Sequence, residues 1–180
     1  MREIYKVDLP YPSLDNIKPD GISAKIISPA YSGQESELTA VMQYMYHHFY
    51  FEDIDEEIAS GLIKISLAEM EHFEILGKLL LKLGVDPVYT WCPPLKWNFY
   101  NTSGVSYTKT PQKMLMDDIT GELLAIKEYE KMLSCLRSEE VSAVISRIIL
   151  DEQLHVKILK EYLEKINKNT QKECFMPKNT

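Results

Sequence analysis

The chain has 180 residues, of which 45% are hydrophobic and 26% charged, enough for one substantial core and unlike the composition of a disordered chain. Its net charge of -7, with no basic cluster, argues against nucleic acid or an anionic membrane as partner and for small ligands or metal cations. Cys92, Cys135 and Cys174 are far apart with no Cys-x-x-Cys, so they read as unliganded thiols; the start at Met1 shows no secretion signal and no run spans a bilayer, so a cytoplasmic location is expected.

Residues 1–32 are expected to form an arm. Pro10, Pro12, Pro19 and Pro29 interrupt it, and either a short helix within 20–28 or an extended docked segment fits. From Gln34 the period becomes helical, with Glu37, Val41, Tyr44, His48 and Phe51 on one face. A second stripe reads Ile58, Leu62, Ile65, Glu69, His72, Leu76, Leu79 and Leu83, and Gly84 stops it. A long connection over about 84–111 holds Trp91, Trp97, Phe99, Tyr100 and Tyr107 among four prolines. The third stripe runs from Leu115 through Ile119, Glu122, Ile126 and Tyr129 to Leu136. The fourth runs from Val141 through Ile148, Glu152, His155, Leu159 and Tyr162 to Ile166, with Ser138 as its N-cap. The expected fold is all-α, a four-helix bundle over 33–166, followed by a polar tail over 167–180. A bundle helix of about 25 residues is roughly 38 Å long, so the connection is long enough to travel back along the whole bundle.

The inward stripes carry acids and imidazoles where Leu or Ile belongs. Glu37, Tyr44, Glu69 and His72 are repeated in order by Glu122, Tyr129, Glu152 and His155 about 84 residues later. The midpoint between Glu37 and Glu69 falls in the Glu52 to Asp55 turn, and that between Glu122 and Glu152 falls beside Ser138. In each antiparallel hairpin the two carboxylates therefore stand at the same height. Spacing of i,i+3 puts each Glu-x-x-His pair on one helix face. Four ionised carboxylates buried together are prohibitive without positive charge, and two divalent cations supply it. A solvated surface pair accounts for a single Glu-x-x-His; two in mirrored hairpins favour a two-metal site. His48 reads as a core or rim histidine and His47 as surface; Glu35, Glu71, Asp118 and Asp151 read as solvent or interface charges.

These two Glu-x6-Tyr and two Glu-x-x-His motifs resemble the ferritin-like superfamily of carboxylate-bridged di-iron and di-manganese proteins, which includes bacterioferritins, rubrerythrins and manganese catalases. The resemblance covers about residues 33–166. It implies two Fe or two Mn ions per chain, bridged by Glu69 and Glu152, with Glu37 and Glu122 as terminal carboxylates and His72 and His155 binding one metal each. It also implies that Tyr44 and Tyr129 hydrogen-bond ligand carboxylates of the opposite hairpin. The implied chemistry is a reaction with hydrogen peroxide or dioxygen at the centre formed by Glu37, Glu69, Glu122 and Glu152, catalase- or peroxidase-like, in oxidative-stress defence.

The chain departs from each relative in one respect or another. Rubrerythrins carry a further Glu where Ala125 stands here, and usually a Cys-rich module; lacking that module, reductive turnover needs an external electron donor. Met70 occupies the haem-ligating position of bacterioferritins, but no fifth helix is evident and packing is the simpler role. Manganese catalases use an arm and a long connection in subunit assembly, so a homo-oligomer, dimer or larger, is expected here, with the aromatic connection as interface, lid or groove cover. The alternatives are a ferroxidase that sequesters iron and a coat or assembly protein stabilised by its metals.

Overall fold

A computed structural model describes residues 5–175, with side chains described through residue 170. Met1 to Ile4, the Cys174 side chain and residues 176–180 lie outside the described residues. The elements are α1 (Gly21–Ser32), α2 (Glu37–Phe51), α3 (Glu56–Lys82), a 3-10 turn (Thr102–Gly104), α4 (Pro111–Cys135) and α5 (Glu139–Phe175). Helices α2 and α3 form one hairpin and α4 and α5 the other, which makes the bundle. Among the described residues no helix is long and apolar enough to cross a membrane.

Local chemistry sets the helix ends. Ser36 caps α2 by accepting from the Thr39 amide, Asp55 caps α3 by accepting from Ile58 at 3.1 Å, and Ser138 caps α5 by accepting from Val141 at 3.2 Å. Pro111 opens α4, where its missing N–H costs nothing. Gly84 ends α3 with φ +85, a left-handed conformation that favours glycine.

Apolar side chains collect in two clusters with a polar layer between them. One joins Leu76, Leu79 and Leu80 of α3 to Tyr129, Met132, Ile145 and Ile148. The other joins Ile58, Leu62 and Ile65 to Tyr44, Phe51, Met114, Leu115 and Leu159. The end of α3 thus shares a cluster with the end of α4, and their starts share the other. The two helices run parallel, and residues 83–110 travel the length of the bundle. The connection is pinned on the way by Ser32 Oγ donating to the Thr90 carbonyl at 2.7 Å and by the Ser106 amide donating to Gln43 Oε1 at 2.8 Å. At Gly104 it comes so close to Gln34 that a Cβ would stand 2.2 Å from the Gln34 carbonyl oxygen. Its outer face exposes Trp97, Phe99 and Tyr107.

Of the two forms expected for the second half of the arm, the structure takes the helix and lengthens it: α1 runs on through Pro29, which gives up one backbone bond because Ala24, Ile27, Ala30 and Tyr31 bury themselves against α3. The polar tail expected from residue 167 is helical as far as Phe175. Thr170 Oγ1 returns to the Ile166 carbonyl at 3.0 Å and accepts from Gln112 Nε2 of α4 at 2.9 Å, so the helix continues beyond its apolar stripe.

Candidate metal centre

Each bundle helix supplies two of the side chains: Glu37, at the first turn of α2, and Tyr44 from α2, Glu69 and His72 from α3, Glu122 and Tyr129 from α4, Glu152 and His155 from α5. All eight are buried. They form two overlapping groups. One ligand atom from each of Glu37, Glu69, His72 and Glu152 lies within 4.8 Å of the others, and the same holds for Glu69, Glu122, Glu152 and His155. Glu69 and Glu152 belong to both groups, the placement that two ligands shared by a pair of ions would need.

Both imidazoles turn Nδ1 inward. His72 Nδ1 is 3.0 Å from Glu69 Oε2, 3.2 Å from Glu152 Oε1 and 3.6 Å from Glu37 Oε2. His155 Nδ1 is 2.8 Å from Glu69 Oε1, 3.2 Å from Glu152 Oε2 and 3.5 Å from Glu122 Oε1. Each outer nitrogen meets an acceptor: His72 Nε2 lies 3.2 Å from Asp151 Oδ2, and His155 Nε2 lies 2.9 Å from the Tyr5 carbonyl. An acceptor there holds the proton on Nε2 and leaves the Nδ1 lone pair for a metal.

The fit to a metal pair rests on this donor set. Glu69 Oε1 and Glu152 Oε1 are buried without a hydrogen bond, although His155 Nδ1 and His72 Nδ1 stand 2.8 and 3.2 Å away. Carboxylate and imidazole together suit iron or manganese, and in this geometry each ion would take one imidazole, one terminal carboxylate and both bridges. Tyr44 Oη donates to Glu122 and Tyr129 Oη donates to Glu37, so each of these two carboxylates is oriented from the opposite hairpin.

Without cations the cluster neutralises itself with protons. Burial, reinforced by Glu152 and Glu69, pushes the Glu37 and Glu122 carboxyls well above the usual range. Burial acts the same way on Glu69, but the two imidazolium rings outweigh it and hold that carboxyl well below its ordinary value. The imidazoles are correspondingly raised: desolvation opposes their charge, and the Glu152 and Glu69 carboxylates prevail at His72, as Glu69 and Glu122 do at His155.

The centre has two unlike faces. On the carboxylate side, a cavity of about 580 Å³ is walled by Glu37, Glu69, Glu122 and Glu152 and includes neither imidazole. It passes between Thr39, Gln43, Gly121 and Ala125, and no Lys, Arg or His lines it. The imidazole side is closed by the N-terminal arm. There the Val7 amide and Tyr11 Oη donate to Asp151 at 2.7 and 2.6 Å, and Arg147 joins Asp151 at 2.8 Å while donating to the Val7 and Leu9 carbonyls.

Three sequence expectations are corrected here. Asp151 is fully buried behind His72 and is no solvent charge. His47 is fully buried, with Nδ1 2.8 Å from Asp118 Oδ1 and Nε2 3.1 Å from the Ser106 carbonyl. Asp118 is fully buried with it and also accepts from Gln43 at 2.9 Å. The signals were in the spacing: His47 stands three residues after Tyr44 and Asp118 four before Glu122, so both share an inward face. Arg147 stands four before Asp151, which pairs the two on one helix. Glu35 is exposed, Glu71 pairs with Lys6, and His48 bonds the Ala59 carbonyl at 2.9 Å away from the cluster. Met70 is 46% exposed. Cys92 and Cys135 are free thiols.

A helical bundle whose two hairpins each bring a Glu and a Glu-x-x-His to one buried layer defines the class of carboxylate-bridged metal bundles. The chain belongs to the ferritin-like family: the ferritin-like domain matches residues 33–169. A bacterioferritin from Desulfovibrio desulfuricans is 25% identical over 138 residues, 74% of this chain and 71% of that protein. A manganese catalase from Anabaena superposes with a TM-score of 0.77 at 19% identity, covering 92% of this chain and 82% of that one. A dodecameric thioferritin from Bacteroides fragilis superposes with a TM-score of 0.68 at 19% identity, covering 91% and 96%. At these identities the superpositions establish the fold.

Proposed function

We propose that this protein binds two iron or two manganese ions and uses them to react with hydrogen peroxide or dioxygen, as a catalase- or peroxidase-like protein of oxidative-stress defence. The observation that carries the reading is the pair of overlapping ligand groups sharing Glu69 and Glu152, all six members buried. When bound, the metals supply two-electron redox chemistry and a place for an oxygen species. The protein orients the terminal carboxylates through Tyr44 and Tyr129, holds each imidazole with Nδ1 inward, and keeps water from the imidazole side with its arm. Small oxidants reach the carboxylate face through the cavity. An external electron donor is required for net reduction, whereas disproportionation of peroxide needs none. The chain acts as a homo-oligomer, a reading supported by the dodecameric thioferritin of the same fold.

A second reading is ferroxidase activity with iron sequestration, favoured by the bacterioferritin relative. Oxygen evolution after peroxide addition to metal-loaded protein tests the first reading, and sedimentation tests the second, since storage needs a hollow shell. Oxygen release from a small oligomer supports catalase-like turnover. Iron oxidation without oxygen release, in a shell of a dozen or more subunits, supports storage.

A further inference from the structure

The two halves of the centre are alike in their ligands and unlike behind them. Asp151 precedes Glu152, while in the matching position Ala68 precedes Glu69. Asp151 reaches across the bundle to His72 Nε2 at 3.2 Å. By the pseudo-symmetry of the hairpins the residue before Glu69 should serve His155, and Ala68, itself buried, has no side chain to do so. The arm fills the place with its backbone: the Tyr5 carbonyl lies 2.9 Å from His155 Nε2.

One imidazole is therefore backed by a carboxylate and the other by a neutral carbonyl. A carboxylate behind a ligating imidazole makes it the more basic donor and fixes its ring. The same arm holds Asp151 in place, through the Val7 amide and Tyr11 Oη, with Arg147 tying the carboxylate to the Val7 and Leu9 carbonyls. Residues 5–11 thus stand behind both imidazoles.

We infer that the two metal positions are inequivalent and that the N-terminal arm makes them so: the position of Glu37 and His72, backed by Asp151, is the tighter, and that of Glu122 and His155, backed by the Tyr5 carbonyl, is the weaker. The inference rests on the metal-binding reading above. Asp151, Tyr11 and the Tyr5 carbonyl are positioning groups that act through the imidazoles.

The test is manganese(II) binding to the full chain, read from the paramagnetic resonance of the free ion, with anaerobic iron(II) as a second probe. Neighbouring cations repel, so even equivalent positions fill in two steps, and the comparison that decides uses variants keeping one imidazole each. H155A is expected to bind one ion about 10- to 100-fold more tightly than H72A, and adding D151N to H155A is expected to remove most of that difference. Equal affinities, or tighter binding by H72A, overturn the inference. If either histidine variant does not fold, D151N in the otherwise unaltered chain is expected to weaken one step by a similar factor and leave the other in place; equal weakening of both overturns it. A chain that binds neither ion overturns the metal reading itself, an outcome distinct from two equal positions.

Discussion

Removing the His47 imidazole with His47→Ala strips a fully buried carboxylate, Asp118, of its imidazole partner and leaves the Ser106 carbonyl without the Nε2 donor. Breaking a buried imidazole–carboxylate pair from one side costs about 3–5 kcal/mol, because the partner left behind stays desolvated. Gln43 still donates to Asp118 at 2.9 Å, so the lower end, about 3 kcal/mol, is expected. For a chain of this size about 1 kcal/mol moves the melting temperature by about 2–4 °C, so the variant should melt roughly 6–12 °C lower. The double variant His47→Ala with Asp118→Ala removes both members of the pair, leaving only the Gln43 amide and the Ser106 carbonyl to find water, and should cost less than the sum of the two single variants by at least about 1 kcal/mol. Thermal unfolding of the metal-free protein, followed by circular dichroism, gives all four corners of the cycle. A His47→Ala variant within about 1 kcal/mol of the parent, or strictly additive effects, would refute the reasoning that this pair is dry and mutually dependent.

Three further outcomes follow from the centre itself. Glu69→Ala and Glu152→Ala should each abolish binding of both metals, whereas Glu37→Ala and Glu122→Ala should each leave about one ion per chain; elemental analysis after gel filtration distinguishes the two patterns. Metal affinity should climb as pH rises, because the raised imidazoles of His72 and His155 and the raised carboxyls of Glu37 and Glu122 hold protons in the metal-free cluster that a cation must displace. The gain should end only above the raised imidazole values, with roughly two protons released per metal, and a pH-independent isotherm would contradict the assignment. Gly121→Leu should slow peroxide turnover while metal content stays unchanged, since a Cβ at Gly121 meets nothing within 4 Å and points the new side chain into free space at the cavity wall. Turnover equal to the parent's would show that the oxidant arrives elsewhere.

The bundle and the six residues that converge at its centre were legible because burial leaves a periodic trace. Glu69 and His72 interrupt an otherwise apolar stripe at i,i+3, and the mirrored hairpins repeat the interruption. What escaped was support rather than ligation. Asp118 and Asp151 read as solvent charges because they fall outside the repeated Glu-x6-Tyr and Glu-x-x-His pattern, and the partners that justify their burial are His47 on a different helix and Arg147 one turn away on the same one. The arm's role was illegible for a stronger reason. It acts through the Tyr5 carbonyl and the Val7 amide, backbone groups that nearly every residue carries, and the one side chain it adds at Asp151, Tyr11, stands between two prolines in a segment without periodicity. The helix beyond residue 167 left no apolar stripe because residues 167–170 are exposed, and the contact that holds it, Gln112 to Thr170, is polar and without periodicity.

Anomalous diffraction from crystals of the protein loaded with manganese or iron tests the central claim most directly. The account predicts two peaks per chain, about 3.5–4 Å apart. Both should lie between Glu69 and Glu152, one against His72 and Glu37 and the other against His155 and Glu122. A single peak, or metal bound away from these carboxylates, would contradict it.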